Sequence, residues 1–299
     1  MLIASAGYTE LLQLNLVATG QVSTWPQTQG GVRDVLGVYA GSLRQTGQDS
    51  YEVDVHELVA QAGFVVDSER SLDRWIRQTA TYVALHNSAV DPLWTTVTGY
   101  YSAFFAANAL AFACGSGFIR LDTPIGLLPK GSFELKLMAS SAAGHVCIQL
   151  EKGGGSGSHE ASWRRLIELI RIAETTASND VRATTGFGSL RSLVELPRFL
   201  SVFRNDVNYN TARSPYTASM WPSKLREITT VAELEDEVLR SSRNDPQEWR
   251  SELIGLGCVS LLLGLYEDFI RRGGKRDPRR VRRQAVAFAA VDQIAWLRP

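Results

Sequence analysis

The sequence predicts a mostly α-helical fold, an antiparallel helical bundle with a small inserted β-hairpin and an N-terminal appendage. Three observations predict it. Apolar residues recur at helical spacing through 71–110 and again through 161–207 and 247–297. A single region, 131–150, changes to strand period. Residues 1–66 keep neither period for long, so they read as an appendage ahead of a helical domain spanning 67–299.

Within the appendage, Leu11–Val17 fits a strand or a short helix, and Gln21–Gly31 is a loop rich in Gln, Thr, Pro and Gly. Val55, Leu58, Val59 and Ala62 follow a helical spacing that stops at Gly63. Ser71 can cap the next helix, whose apolar face (Trp75, Ile76, Ala80, Val83, Ala84) continues to Ser88. Asp91-Pro92 opens another helix, because proline suits a first turn. From Trp94 to Leu110 that helix is apolar around nearly its whole circumference, which places it in the middle of the domain.

Phe133–Leu137 alternates strictly and His145–Leu150 is β-rich, so the two form the inserted hairpin. A flexible Gly/Ser loop at 152–159 follows. Helical period resumes over Ala161–Thr176 and Ser189–Val207, with Gly186-Phe-Gly-Ser189 as the turn between them and Pro197 as a kink. A polar loop, a short charged helix at Val231–Arg240, a long helix at Gln247–Arg272 and a basic C-terminal helical region at 271–299 complete the chain.

The 299 residues carry 31 basic and 31 acidic side chains, so no global field selects nucleic acid as the partner and any such contact must be local. Three cysteines, far apart among apolar neighbours, suit buried thiols in a reducing compartment better than a disulfide frame. Four histidines stand without a second ligand at zinc-site spacing, and the carboxylates Glu233, Glu235, Asp236 and Glu237 point in different directions around one helix. No metal and no cofactor is expected. The N-terminus lacks the basic start and unbroken apolar run of a signal peptide, and the apolar stretches are too short to span a bilayer. The expected location is cytoplasmic, without membrane contact.

The most unusual segment is Phe203-Arg-Asn-Asp-Val-Asn-Tyr-Asn210, at the end of an apolar helix. Arg204 and Asn208 are i, i+4 neighbours, as are Asn205 and Tyr209, so one face presents guanidinium, amides and phenol. The planar guanidinium suits phosphate, and the amides suit a ribose hydroxyl or a base edge. The same residue types also serve as an ordinary helix C-cap. A second candidate contact is the run of Arg271, Arg272, Lys275, Arg276, Arg279, Arg280, Arg282 and Arg283, with a single acid among them. It reads as a phosphate-binding patch for RNA or as a solvated connector.

The stretch Gly99-Tyr-Tyr-Ser-Ala-Phe-Phe-Ala-Ala-Asn-Ala-Leu110 resembles the second helix of HEPN domains. About ninety residues further on, Arg204, Val207, Asn208 and Tyr209 are similar to the R-x-x-A-D-Y motif of one branch, with Val for Ala and Asn for Asp. The resemblance covers 70–272 and implies an antiparallel bundle that dimerises or binds an effector or antitoxin protein. It also implies a metal-independent endoribonuclease, or an RNA-binding relative, of a prokaryotic defence or toxin–antitoxin system. In that reading Arg204 meets the phosphate, and Asn205 and Asn208 position it. Tyr209 stands where the commoner pattern has His, and a phenol with an unperturbed pKa of about 10 is a poor base. A non-catalytic interaction subunit is the alternative. His86 and His159 could reach such a cleft only through the fold.

Overall fold

The computed structural model describes residues 30–88, 92–153, 158–176 and 181–195, together with Glu233, Asp236, Glu237, Arg240 and Ile254. Among them is an antiparallel sheet of five strands in the order β1-β2-β5-β4-β3. The strands are β1 (Arg44–Gln45), β2 (Ser50–His56), β3 (Ser116–Leu121), β4 (Gly131–Ala139) and β5 (His145–Lys152). The helices are α1 (Val32–Val38), α2 (Glu57–Ser88), α3 (Pro92–Ala113), α4 (Ser158–Thr176) and α5 (Val181–Val194), with a 3-10 turn at Ala40–Ser42.

The protein is therefore a mixed α/β fold, and the expected mostly α-helical bundle with a small inserted hairpin and an N-terminal appendage is corrected. The hairpin β4–β5 pairs as its alternation requires, from Phe133↔Lys152 to Ala139↔Val146. It is not an insertion standing alone. β2 pairs with β5 over the whole length from Ser50↔Glu151 to His56↔His145, and β3 pairs with β4. Segment 50–56 is thus an interior strand and not part of an appendage. Its own alternation explains it, since Tyr51, Val53 and Val55 are buried while Glu52, Asp54 and His56 face away. A helical spacing through Val55, Leu58 and Val59 straddles the junction where β2 ends and α2 begins.

α2 then runs unbroken from Glu57 to Ser88, through Gly63, through position 66/67 and through Ser71. Gly63 does not end the helix. A Cβ there would lie 2.7 Å from Val35 Cγ2 and 3.3 Å from the Val32 backbone, so the missing side chain lets α1 lie directly on α2. The amide of Val32 donates to Asp67 on α2 at 2.8 Å, which fastens the start of α1. Ser71 is a buried mid-helix residue and not a cap. Gly186–Ser189 likewise lies inside α5 and not in a turn, and fully buried Phe187 anchors that helix.

One face of the sheet is apolar. Tyr51, Val53, Val55, Phe133, Leu135, Leu137, Ile148 and Leu150 form a core with Val35 and Leu36 of α1, Phe64 of α2 and Phe112 of α3. Burying each large side chain contributes roughly 1.5–3 kcal/mol. Gly117 on β3 serves this packing, because a Cβ there would sit 2.3 Å from the Phe112 ring. The opposite face is polar. Arg44 pairs with Asp54 at 2.8 Å, Gln149 donates to Glu52 at 2.9 Å, and Ser140 donates to Asp54 at 2.9 Å.

Above the apolar core, α2 and α3 pack antiparallel. Ser68 donates to the Ala109 carbonyl at 2.7 Å, Thr79 and Ser102 share a 2.6 Å hydrogen bond, and Tyr82 lies against Gly99. Position numbers rise on one helix as they fall on the other. As its apolar circumference predicts, α3 is buried over most of Val97–Ala113, with Tyr101, Phe104, Phe105 and Asn108 half-buried, and contacts α2, α4 and β3. No helix among the described residues is long and apolar enough to cross a membrane.

Candidate functional site

An open cleft of about 600 Å³ lies where the helical layer meets the end of the sheet. Each wall follows from an element's period. On α2, Ser71 and Arg74 are i, i+3 neighbours, and on α3, Phe104, Asn108 and Phe112 follow at i, i+4, i+8 with Phe105 beside them. On β3, Phe118 and Arg120 share a face at i, i+2. The start of β4 contributes Ser132, the end of β5 contributes Lys152, and α4 contributes Ser162.

Among the described residues, the lining carries three cations, four phenylalanines and no carboxylate. Arg74 lies with its guanidinium carbon 5.7 Å from the Phe105 ring centroid, a cation–π arrangement that presents a flat, positive surface. Arg120 and Lys152 have partners outside the lining, Asp122 at 3.4 Å and Asp49 at 3.8 Å. All four of those side chains are largely exposed, so these pairs are weak and exchangeable. The Asn108 amide is held by two hydrogen bonds. Its Nδ2 donates to the Phe104 carbonyl at 2.9 Å, and its Oδ1 accepts from Ser162 at 3.1 Å.

Behind Phe104 stands His159, with ring centroids 4.3 Å apart. Trp163 donates its indole N–H to the Tyr100 oxygen at 3.2 Å, and the Tyr100 hydroxyl shares a 3.0 Å hydrogen bond with Nδ1 of His159. His159 is thus next to the cleft but separated from it by an aromatic ring. Deeper still, Arg165 is 4% exposed, donates to Ser116 at 2.7 Å and pairs with Glu168, while its Nη2 has no hydrogen-bond partner among the described residues. Burial raises the Glu134 carboxyl above the ordinary carboxylate range, against the pull of Arg165 and Arg164. Burial also pushes the Cys114 thiol up to about 12.

Arg204, Asn205, Asn208 and Tyr209 lie outside the described residues, as does the whole basic run Arg271, Arg272, Lys275, Arg276, Arg279, Arg280, Arg282 and Arg283. Of the side chains singled out in the sequence, the structure brings Phe104, Phe105 and, one ring behind, His159 to the cleft. Trp94 is 58% exposed and not core, whereas Tyr100 is buried. Glu233 and Asp236 are exposed, and no cluster of three or more metal-ligating side chains occurs among the described residues. Arg120, Lys152 and Phe118 were invisible as site residues, because strand position alone does not say which helix a strand end will meet. Asn108 carried one signal, an amide set into an otherwise apolar helix, whereas Arg74 is one of several charged residues along α2.

No protein-family model matches the chain, and no curated protein or solved structure is significantly similar to it.

Proposed function

We propose that this chain is a cytoplasmic RNA-interacting protein that binds a single strand in the cleft. Phosphates lie against Arg74, Arg120 and Lys152, and bases stack on Phe104, Phe105 and Phe118. The observation that carries this reading is the lining itself, where the described residues put three cations, four aromatic rings and no acid in one open groove. Proteins that hold single strands combine those two features, a positive groove for the backbone and aromatic faces for the bases. Free, buried Cys114 and Cys147 support a reducing compartment.

Cleavage is a separate question. Among the described residues, the lining offers no imidazole or carboxylate to take a ribose 2′-hydroxyl proton. A nuclease step, a homodimer or effector partner, and a defence or toxin–antitoxin setting rest on the sequence motif around Arg204 alone. The test measures anisotropy of a labelled single-stranded RNA with the parent protein and Arg74→Ala, and incubates mixed RNA in chelator with the parent and Arg204→Ala. Binding lost in Arg74→Ala supports the cleft. Products from the parent but not from Arg204→Ala support a metal-independent endoribonuclease. Absence of binding in the parent defeats the RNA reading and leaves the non-catalytic interaction subunit.

A further inference from the structure

Asn108 is the amide side chain among the cleft-lining residues, and it stands on the same face of α3 as Phe104 and Phe112. An amide has two protons and two acceptor sites. The Phe104 carbonyl uses one proton and Ser162 uses one lone pair, so the amide plane is fixed while a donor and an acceptor remain uncommitted among the described residues. We propose that Asn108 reads the edge of a base stacked on Phe104 or Phe105, and that the cleft therefore tolerates all four bases. This inference rests on the RNA reading above.

The tolerance follows from the chemistry of the edges. Each base presents one donor next to one acceptor on its Watson–Crick edge: N6–H and N1 in adenine, N4–H and N3 in cytosine, N3–H and O4 in uracil, N1–H and O6 in guanine. An amide complements every one of these pairs by supplying one acceptor and one donor. A carboxylate supplies acceptors only. It complements the adjacent N1–H and N2–H donors of guanine, whereas adenine and cytosine turn a lone pair towards it. Asn108→Asp, still held by the Ser162 hydrogen bond, thus converts an indifferent reader into one that favours guanine. The added negative charge among the cations weakens all RNA alike, so the ratio of two affinities isolates the reading from the charge.

The experiment measures anisotropy for the full chain with RNA repeats of CA and of UG, about twelve nucleotides long and free of strong self-pairing. The parent binds the two within about threefold of each other, and Asn108→Asp shifts the ratio about tenfold towards UG, the discrimination expected of one well-placed polar contact. Asn108→Ala weakens both repeats equally and keeps the parent's ratio, with a single cooperative melting transition, at a somewhat lower temperature, showing that it folds. An unchanged ratio in Asn108→Asp, or full affinity in Asn108→Ala, while Arg74→Ala still loses binding, overturns the role of Asn108 and leaves the RNA reading standing. Failure of the parent to bind either repeat overturns both.

Discussion

The polar face of the sheet around Arg44 and the cleft around Arg74 are both surfaces with prominent cations, and they handle charge in opposite ways. Arg44 sits between Asp54 at 2.8 Å and Glu52 at 3.9 Å, and Glu52 also accepts from Gln149. Each carboxylate there lies next to a donor on a neighbouring strand, so the face closes on itself. In the cleft the cations come from three different elements, α2, β3 and β5. Among the described residues, Arg120 and Lys152 reach only the exposed Asp122 and Asp49 outside it, and no acid lines it. A surface whose charges are matched internally is fitted to water and to sheet stability. A concave surface whose charges share one sign is fitted to an anion.

The strongest way to break this contrast is charge reversal on each side. Arg74→Glu is expected to lower single-stranded RNA affinity by about a hundredfold, roughly 2.7 kcal/mol, while Arg44→Glu leaves it unchanged. Equal losses in an anisotropy titration would show that the cleft has no special role. Salt sharpens the same comparison. Removing Arg74, Arg120 or Lys152 as Ala should each reduce the slope of log affinity against log salt by about 0.7, the value for one phosphate contact on a single strand. Loss of Arg44 should leave that slope alone.

Stability should follow the reverse pattern, with smaller effects. Arg44→Ala is expected to cost below about 1 kcal/mol in urea unfolding, because its partners are partly solvated, and Arg74→Ala should stay within about 0.5 kcal/mol. Glu134 stands at the border of the two regions, paired in register with Phe118 on one side and Glu151 on the other. Its folded-state pKa is raised, mainly by burial. The folded protein therefore holds that proton more tightly than the unfolded chain. This contributes stability that is complete below the ordinary carboxylate pKa and is lost as pH rises through the raised value. Glu134→Gln should accordingly melt higher than the parent at neutral pH and converge with it in acid. The smallest expected signal belongs to Cys114. With its thiol pushed up to about 12 by burial, it should resist iodoacetamide at pH about 8 until the chain is unfolded, as read by mass spectrometry.

Local pattern reached some of these features and not others. The apolar circumference of α3 was enough to place it at the centre, and the alternation of Phe133, Leu135 and Leu137 was enough to mark a strand. Pro92 marked the first turn of α3. β2 carries an equally clear alternation, Tyr51-Glu52-Val53-Asp54-Val55, but it abuts a helix whose first apolar residues blur the change of period. β3 is harder still, since Ser116 and Gly117 are buried for reasons of contact, one with Arg165 and the other with Phe112. Gly63, Ser71 and Gly186 each look like punctuation in a sequence. In the fold they are a close helix contact, a cleft residue and part of a continuous helix.

By itself, then, the sequence determined which segments are amphipathic, which are apolar throughout, and which cations and amides interrupt them. Those properties depend on residues within a turn or two of one another, where period and capping act. Only the tertiary structure decided that 50–56 and 116–121 flank the hairpin on either side, and that Arg74, Asn108, Arg120 and Lys152 open onto one groove. Strand pairing and cleft formation join residues far apart in the chain, and which distant partners meet depends on how all the apolar surfaces can be buried together.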